Sequence, residues 1–134
     1  MTGGEGTDAP PAAGRLRRIR DGMGGEELDA LLVSHPPNVR YLSGFHGSAG
    51  FLLVRRRGTL LLVDSRYRDQ AREEAAPEVE VRLAGDGLVE AVGEALEEVG
   101  GGARTGFEAH RTTVRDAGKL EEAAGDVEWV ATEG

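Results

Sequence analysis

The chain has 134 residues, no cysteine and a formal net charge of −8. This length fits a single domain, and the acidic balance argues against nucleic acid or an anionic membrane as the main partner, because both need a cationic surface. The missing cysteines exclude disulfides, thiolate metal ligands and thiol nucleophiles.

The amino terminus predicts a tail followed by a helix. Residues 1–13 are mostly glycine, proline and small polar residues, which is typical of disorder, so we place the folded domain at 14–134. The tail has neither a basic segment nor the apolar core of a signal peptide. No apolar run in the chain is long enough to cross a bilayer, and we therefore expect a cytoplasmic protein. Apolar residues at helical spacing over 15–23 predict a helix that ends at Gly24 and Gly25.

A strand and a short turn come next. The apolar run 31–33 is halted by Pro36 and Pro37, which is typical of a short buried strand. The segment 38–42 is expected to form a brief helical turn with Asn38 as its cap.

Two fully apolar runs predict the centre of a sheet. Segments 51–54 and 60–63 are apolar at every position, so each is expected to be covered on both faces. The polar segment 55–58 joins them, which favours an antiparallel hairpin.

A helix and a half-exposed strand follow the hairpin. Residues 66–76 are expected to be helical, with Asp64 or Ser65 as the cap and Pro77 as the end. Apolar and charged residues then alternate over 79–83, as in a strand with one face toward water.

The remaining segments alternate in the same way. Asp86 is expected to cap a helix over 88–99, and 104–107 forms a strand. The pair Thr113 and Asp116 resembles a capping box before another helix, and 127–130 is the last strand. Helices that alternate with strands, some of which need cover on both faces, predict an α/β fold: a three-layer α/β/α sandwich with a mixed sheet.

Catalytic and metal-binding patterns are missing from the sequence. Ser48 lies between glycines, but a nucleophile elbow needs glycine where His46 stands. His35, His46 and His110 do not have the spacing of metal ligands. We predict no catalytic residue and no metal ligand in this chain.

The loop after the helical turn carries an aromatic and an imidazole side chain. Phe45 and His46 lie between glycines just before a buried strand, so we expect them on an exposed projection. If 51–63 is a hairpin, His46 lies at the same end of the sheet as Asp64 and Arg66. Two interpretations stay open: a local cap and ion pair, or a recognition edge.

Two motifs carry a resemblance to a known family. Residues 38–50 read NVRYLSGFHGSAG and residues 64–71 read DSRYRDQA. Over about 13–131 the chain resembles the amino-terminal domain of the creatinase, prolidase and Xaa-Pro aminopeptidase family. Ser65 departs from that pattern, in which glycine is common between the aspartate and the arginine.

The resemblance implies a role beside a catalytic domain. It implies a three-layer α/β domain that precedes a catalytic domain with two divalent metal ions, whose ligands do not map onto this chain. It also implies assembly with a second copy of the subunit, where the loop shapes the site for a proline-containing peptide. The substrate-binding residues implied in this way are Phe45, His46, Ser48, Arg66 and Tyr67.

Other functions remain open at this point. The chain could be a stand-alone interaction module with the same fold. It could also be the amino-terminal domain of a creatinase-like amidinohydrolase that acts on a small guanidino compound. An independent enzyme is the weakest of these alternatives.

Overall fold

The computed structural model describes residues 11–47, 49–85, 87–100, 103–108, 118–120, 122 and 127–132. The elements in chain order are α1 (Pro11–Gly25), β1 (Ala30–Val33), α2 (Pro36–Ser43), β2 (Phe51–Arg55), β3 (Thr59–Val63), a 3-10 turn (Ser65–Tyr67), α3 (Arg68–Glu74), β4 (Val79–Leu83), α4 (Leu88–Glu97), β5 (Arg104–Glu108) and β6 (Glu128–Thr132).

The strands form one mixed sheet in the order β4-β3-β2-β1-β5-β6. Strands β1, β2 and β3 pair antiparallel. The pairs β3–β4, β1–β5 and β5–β6 are parallel. The predicted hairpin at the centre of a mixed sheet is therefore confirmed.

Helices cover both faces of the sheet and so make three layers, with one hydrophobic cluster between the sheet and the helices on each face. One face packs against α1, α2 and α3 through side chains such as Leu16, Val39 and Ala71. The other face packs against α4 through Val92 and Leu96. All four apolar residues of β3 over 60–63 are fully buried, because alternate side chains enter opposite clusters. The predicted three-layer α/β/α sandwich is confirmed.

The start of α2 differs from the prediction. The helix begins at Pro36, with His35 as N-cap and no side-chain cap. Proline fits the first helical turn because its missing N–H would be unpaired there anyway. Asn38 does not cap the helix, as we had predicted. Its Nδ2 donates instead to Oε2 of Glu108 at 2.5 Å, a carboxylate that also accepts the Ser34 and His35 N–H groups at 2.7 and 2.9 Å.

Several predicted features lie outside the described residues. They are Ser48, the cap at Asp86, His110, the capping box at 113–116 and most of the predicted tail. No helix in the described part of the chain is long and apolar enough to span a membrane.

Candidate functional site at the loop after α2

The loop begins where α2 ends in a left-handed glycine. Gly44 has φ 88°, and its N–H donates to Arg40 O at 2.8 Å. A Cβ at this position would lie 2.7 Å from Glu74 O. Any other residue would therefore be strained twice, by its φ and by this contact. Ser43 Oγ then fixes Phe45, the residue after Gly44, by accepting its N–H at 3.1 Å.

Phe45 turns into the core, which corrects our prediction. Its side chain is only 1% exposed, although we expected it on the projection. Its ring meets the ring of Tyr67 edge to face, with centroids 5.9 Å apart and planes at 88°, a favoured aromatic geometry. A Cβ on Gly47 would overlap the Phe45 ring, and one on Gly50 would lie 3.1 Å from it. The glycines therefore make room for the ring.

His46, the next residue, faces solvent. Its side chain is 49% exposed, as predicted for the projection. The N–H of His46 donates to Glu74 Oε1 at 2.7 Å, and its Nδ1 lies 3.5 Å from the same oxygen. Gln70 Nε2 also donates to Glu74 Oε1, at 3.2 Å. The hydrogen bond from the backbone of His46 is the main cause that lowers the pKa of Glu74.

Glu74 is the member of this site that the sequence analysis missed. It is the last residue of α3, and we assigned it no role. The only signal for its role is Gln70 four residues earlier, which places an amide donor on the same helix face.

The second motif forms a local cap and ion pair. Asp64 Oδ1 accepts the Arg66 N–H at 2.9 Å, and Asp64 Oδ2 accepts Arg66 Nη2 at 2.8 Å. The hydrogen bond between the two side chains is the main cause that lowers the pKa of Asp64 and raises the pKa of Arg66. The guanidinium of Arg66 also lies 5.5 Å from the centroid of the Tyr67 ring. His46 contacts Glu74, whereas Asp64 and Arg66 contact each other. The ring contact of Phe45 with Tyr67 joins the two motifs directly, and Glu74 joins them through Gln70 and the His46 N–H.

An open groove of about 650 Å³ runs beside the loop. The Arg15 guanidinium lies 3.7 Å above the Tyr41 ring, and its Nη1 donates to Tyr41 O at 2.6 Å. Tyr41 is 53% exposed. The groove thus offers guanidinium groups that can donate hydrogen bonds to the oxygens of a peptide, and aromatic rings that can pack against its apolar groups. Its lining residues are Arg15, Pro36, Pro37, Arg40, Tyr41, Phe45, His46 and Gly47.

The described residues do not fit a metal ion. Among them, no three His, Asp or Glu side chains come together as a ligand set. The two metal ions that the resemblance implies have no ligands in this part of the chain, and we derive no chemical step from them.

Comparisons with known proteins agree with the fold and the motifs. The model of the creatinase/prolidase N-terminal domain family matches residues 15–134. The uncharacterized peptidase YqhT of Bacillus subtilis is 28% identical over 116 residues, which are 87% of this chain and 32% of that protein. This chain spans about a third or less of the curated relatives it matches.

Solved structures show the same architecture. The N-terminal domain of the cytoplasmic peptidase PepQ from Mycobacterium tuberculosis H37Rv is 37% identical with a TM-score of 0.82, over 90% of this chain and 94% of that one. The Xaa-Pro dipeptidase from Bacillus anthracis is 26% identical with a TM-score of 0.85, over 92% of this chain and 34% of that one.

Proposed function

Because the chain belongs to the creatinase/prolidase N-terminal domain family, we propose that it is the non-catalytic amino-terminal domain of an Xaa-Pro dipeptidase or aminopeptidase. The Xaa-Pro dipeptidase relative is about three times as long as the part that this chain covers, which leaves room for a second domain. The proposal assigns the chemistry, and the two divalent metal ions, to that second domain. It places the protein in the cytoplasm, since the relative PepQ is a cytoplasmic peptidase.

The role that we propose is assembly plus shaping of the substrate site. The domain supports association with a second copy of the subunit, and the loop at 44–48 borders the partner's site for a proline-containing peptide. Neither nucleic acid nor a membrane is a partner in this proposal.

One observation carries the role of the loop: an exposed imidazole stands on a backbone that is anchored from both sides. Phe45 is buried against Tyr67, and the next N–H, that of His46, is bound by Glu74. A group that must limit the length of a substrate needs such a fixed position, because a mobile one would yield to a longer peptide. Arg66 and Ser48 complete the residues that we propose to border the substrate.

The test uses the full-length gene product that contains this domain. We expect His46→Ala to lower the preference for an Xaa-Pro dipeptide over a longer Xaa-Pro peptide by about ten-fold in kcat/KM. Arg66→Ala should act in the same direction. Arg68→Ala is the matched control, since Arg68 is a similarly exposed residue that pairs with Asp69.

The experiment distinguishes failure of the site-shaping role from failure of the peptidase assignment. Unchanged selectivity in both the His46 and the Arg66 variants would remove the site-shaping role. A full-length protein without activity on any Xaa-Pro peptide would remove the peptidase assignment as well.

A further inference from the structure

Strand β4 lies at the edge of the sheet, so one row of its backbone groups points away from the neighbouring strand. It pairs with β3 on one side in parallel register. Ala84 N–H donates to Val63 O at 2.8 Å, so the even-numbered residues of β4 point their backbone groups toward β3. The N–H and C=O groups of the odd-numbered residues, Val79, Val81 and Leu83, therefore point away from the sheet.

Most of these outward groups have no partner among the described residues. The Val79 N–H is used by a turn, where it donates to Ala76 O at 2.9 Å. The N–H groups of Val81 and Leu83 remain, together with the outward carbonyls. Leu83 is also one of the exposed large apolar residues of the chain, at 39%. An edge of this kind is a template for another strand.

We propose that β4 pairs antiparallel with β4 of a second copy of this chain, about a two-fold axis at Val81. The strand reads Val-Glu-Val-Arg-Leu, a pattern that is complementary to itself when reversed. Around this axis Glu80 lies opposite Arg82 of the second copy, and Val79 lies opposite Leu83. A two-fold interface requires such self-complementarity.

The hydrogen-bond directions fit this register. In an antiparallel pair, residues that exchange both hydrogen bonds alternate with residues that exchange none. The outward-pointing residues are the odd-numbered ones, so Val81 and its symmetry mate exchange both bonds. At each end the Leu83 N–H donates to the Val79 carbonyl of the other copy, and the Val79 N–H keeps its turn.

The charges select this register over its neighbours. Glu80 and Arg82 occupy the pairs without hydrogen bonds, where side chains approach most closely. A shift by two residues in one direction would place Glu80 opposite Glu80, and in the other direction Arg82 opposite Arg82. Like charges directly opposite each other destabilise a pair of strands, so only the register centred on Val81 is favourable.

The side chains can reach the second copy without losing their best contact. Arg82 Nη1 lies 2.7 Å from Glu98 Oε2, and Arg82 Nη2 lies 3.3 Å from Glu80 Oε2 of the same strand. Glu80 is 61% exposed. Arg82 can keep Glu98 and turn its second nitrogen to Glu80 of the other copy.

This inference rests on the self-association part of the proposed function and names its surface. A pair of five-residue strands buries far less than the roughly 1,600 Å² of a standard interface. We therefore expect weak dimerisation of this chain that depends on its concentration. The test concerns association alone, so its failure leaves the peptide-length experiment on the loop unaffected.

The decisive experiment mixes two charge-reversed variants. Glu80→Arg places two arginines on the edge, and Arg82→Glu places two glutamates there. In sedimentation velocity over a concentration series, each variant alone should dimerise at least about ten-fold more weakly than the original chain. An equimolar mixture should restore the dimer, because each arginine then faces a glutamate.

Two further variants test whether the association depends on the β4 edge. Val81→Pro removes an outward N–H that the sheet itself does not use, which edge strands tolerate, and it should abolish dimerisation. Glu128→Arg reverses an exposed charge on the opposite edge strand and should leave dimerisation unchanged. Melting temperatures of all variants report whether the fold is kept.

Amide hydrogen exchange gives an independent readout. In the original chain the Val81 and Leu83 amides should become protected as the concentration rises. A monomer at every concentration, a dimer that the edge variants do not weaken, or a mixture that stays monomeric would each overturn the proposal.

Discussion

Phe45 and His46 are neighbours in the chain, yet they belong to different parts of the molecule. The first is 1% exposed and packs against Tyr67. The second is half exposed and is held through its own backbone by Glu74. The base of the loop therefore stabilises the fold, while its tip presents a side chain to the outside. This division predicts that substitutions at the base and at the tip have separable effects.

The largest effect is expected at the base. Phe45→Ala removes a buried ring and leaves a cavity beside Tyr67, so we expect a loss of about 3–5 kcal/mol in the free energy of unfolding. Urea denaturation followed by circular dichroism measures it. A loss below about 1 kcal/mol would show that the ring is not the anchor.

A glycine beneath the ring should have the next largest effect. A Cβ at Gly47 overlaps the Phe45 ring, so Gly47→Ala should cost about 1–3 kcal/mol of unfolding free energy through overpacking. Gly85→Ala is the matched control, because a Cβ there meets no atom within 4 Å. Equal stability of the two variants would contradict the close packing.

The hydrogen bond by which Glu74 holds the His46 backbone should make the stability depend on pH. Folding lowers the pKa of Glu74, so its contribution is present above the unfolded pKa and is lost as the pH falls through the folded one. The original chain should therefore lose more stability on acidification than Glu74→Gln does. Urea midpoints at neutral and acidic pH measure this difference, with Glu73→Gln as the control. Identical pH dependence of the original chain and Glu74→Gln would show that Glu74 does not bind the loop.

The smallest effect on stability is expected at the tip. His46→Ala should change the free energy of unfolding by no more than about 0.5 kcal/mol, since its side chain is half exposed and its backbone N–H remains. Thermal denaturation tests this. A loss comparable to that of Phe45→Ala would make the tip part of the core and remove the comparison.

The layers of the fold could be predicted because burial leaves a direct pattern in the sequence. Segment 60–63 is apolar at every position and lies fully buried between two clusters. A strand covered on both faces reads as a nearly continuous apolar run. The alternation of apolar and charged residues over 79–83 likewise predicted a half-exposed strand, which is now an edge.

The site was less predictable because its contacts join segments that are distant in the chain. The glycines around Phe45 indicated an exposed turn, and nothing local reveals that Tyr67 lies where the ring can meet it. The cap at Asn38 failed for the same reason. The partner of its side chain, Glu108, arrives from another strand, 70 residues later.

The carboxylate of Glu108 limits how residue 108 can change during evolution. Glu108 is 5% exposed and binds two backbone N–H groups at the start of α2, and those donors exist whatever side chains the neighbouring residues carry. Substitution at 108 is therefore restricted to side chains that accept hydrogen bonds, because two part-buried donors would otherwise lose their partner. Asn38 adds a third donor that can vary. Among descendants of this sequence, a change at 108 should be tolerated most readily when 38 changes with it.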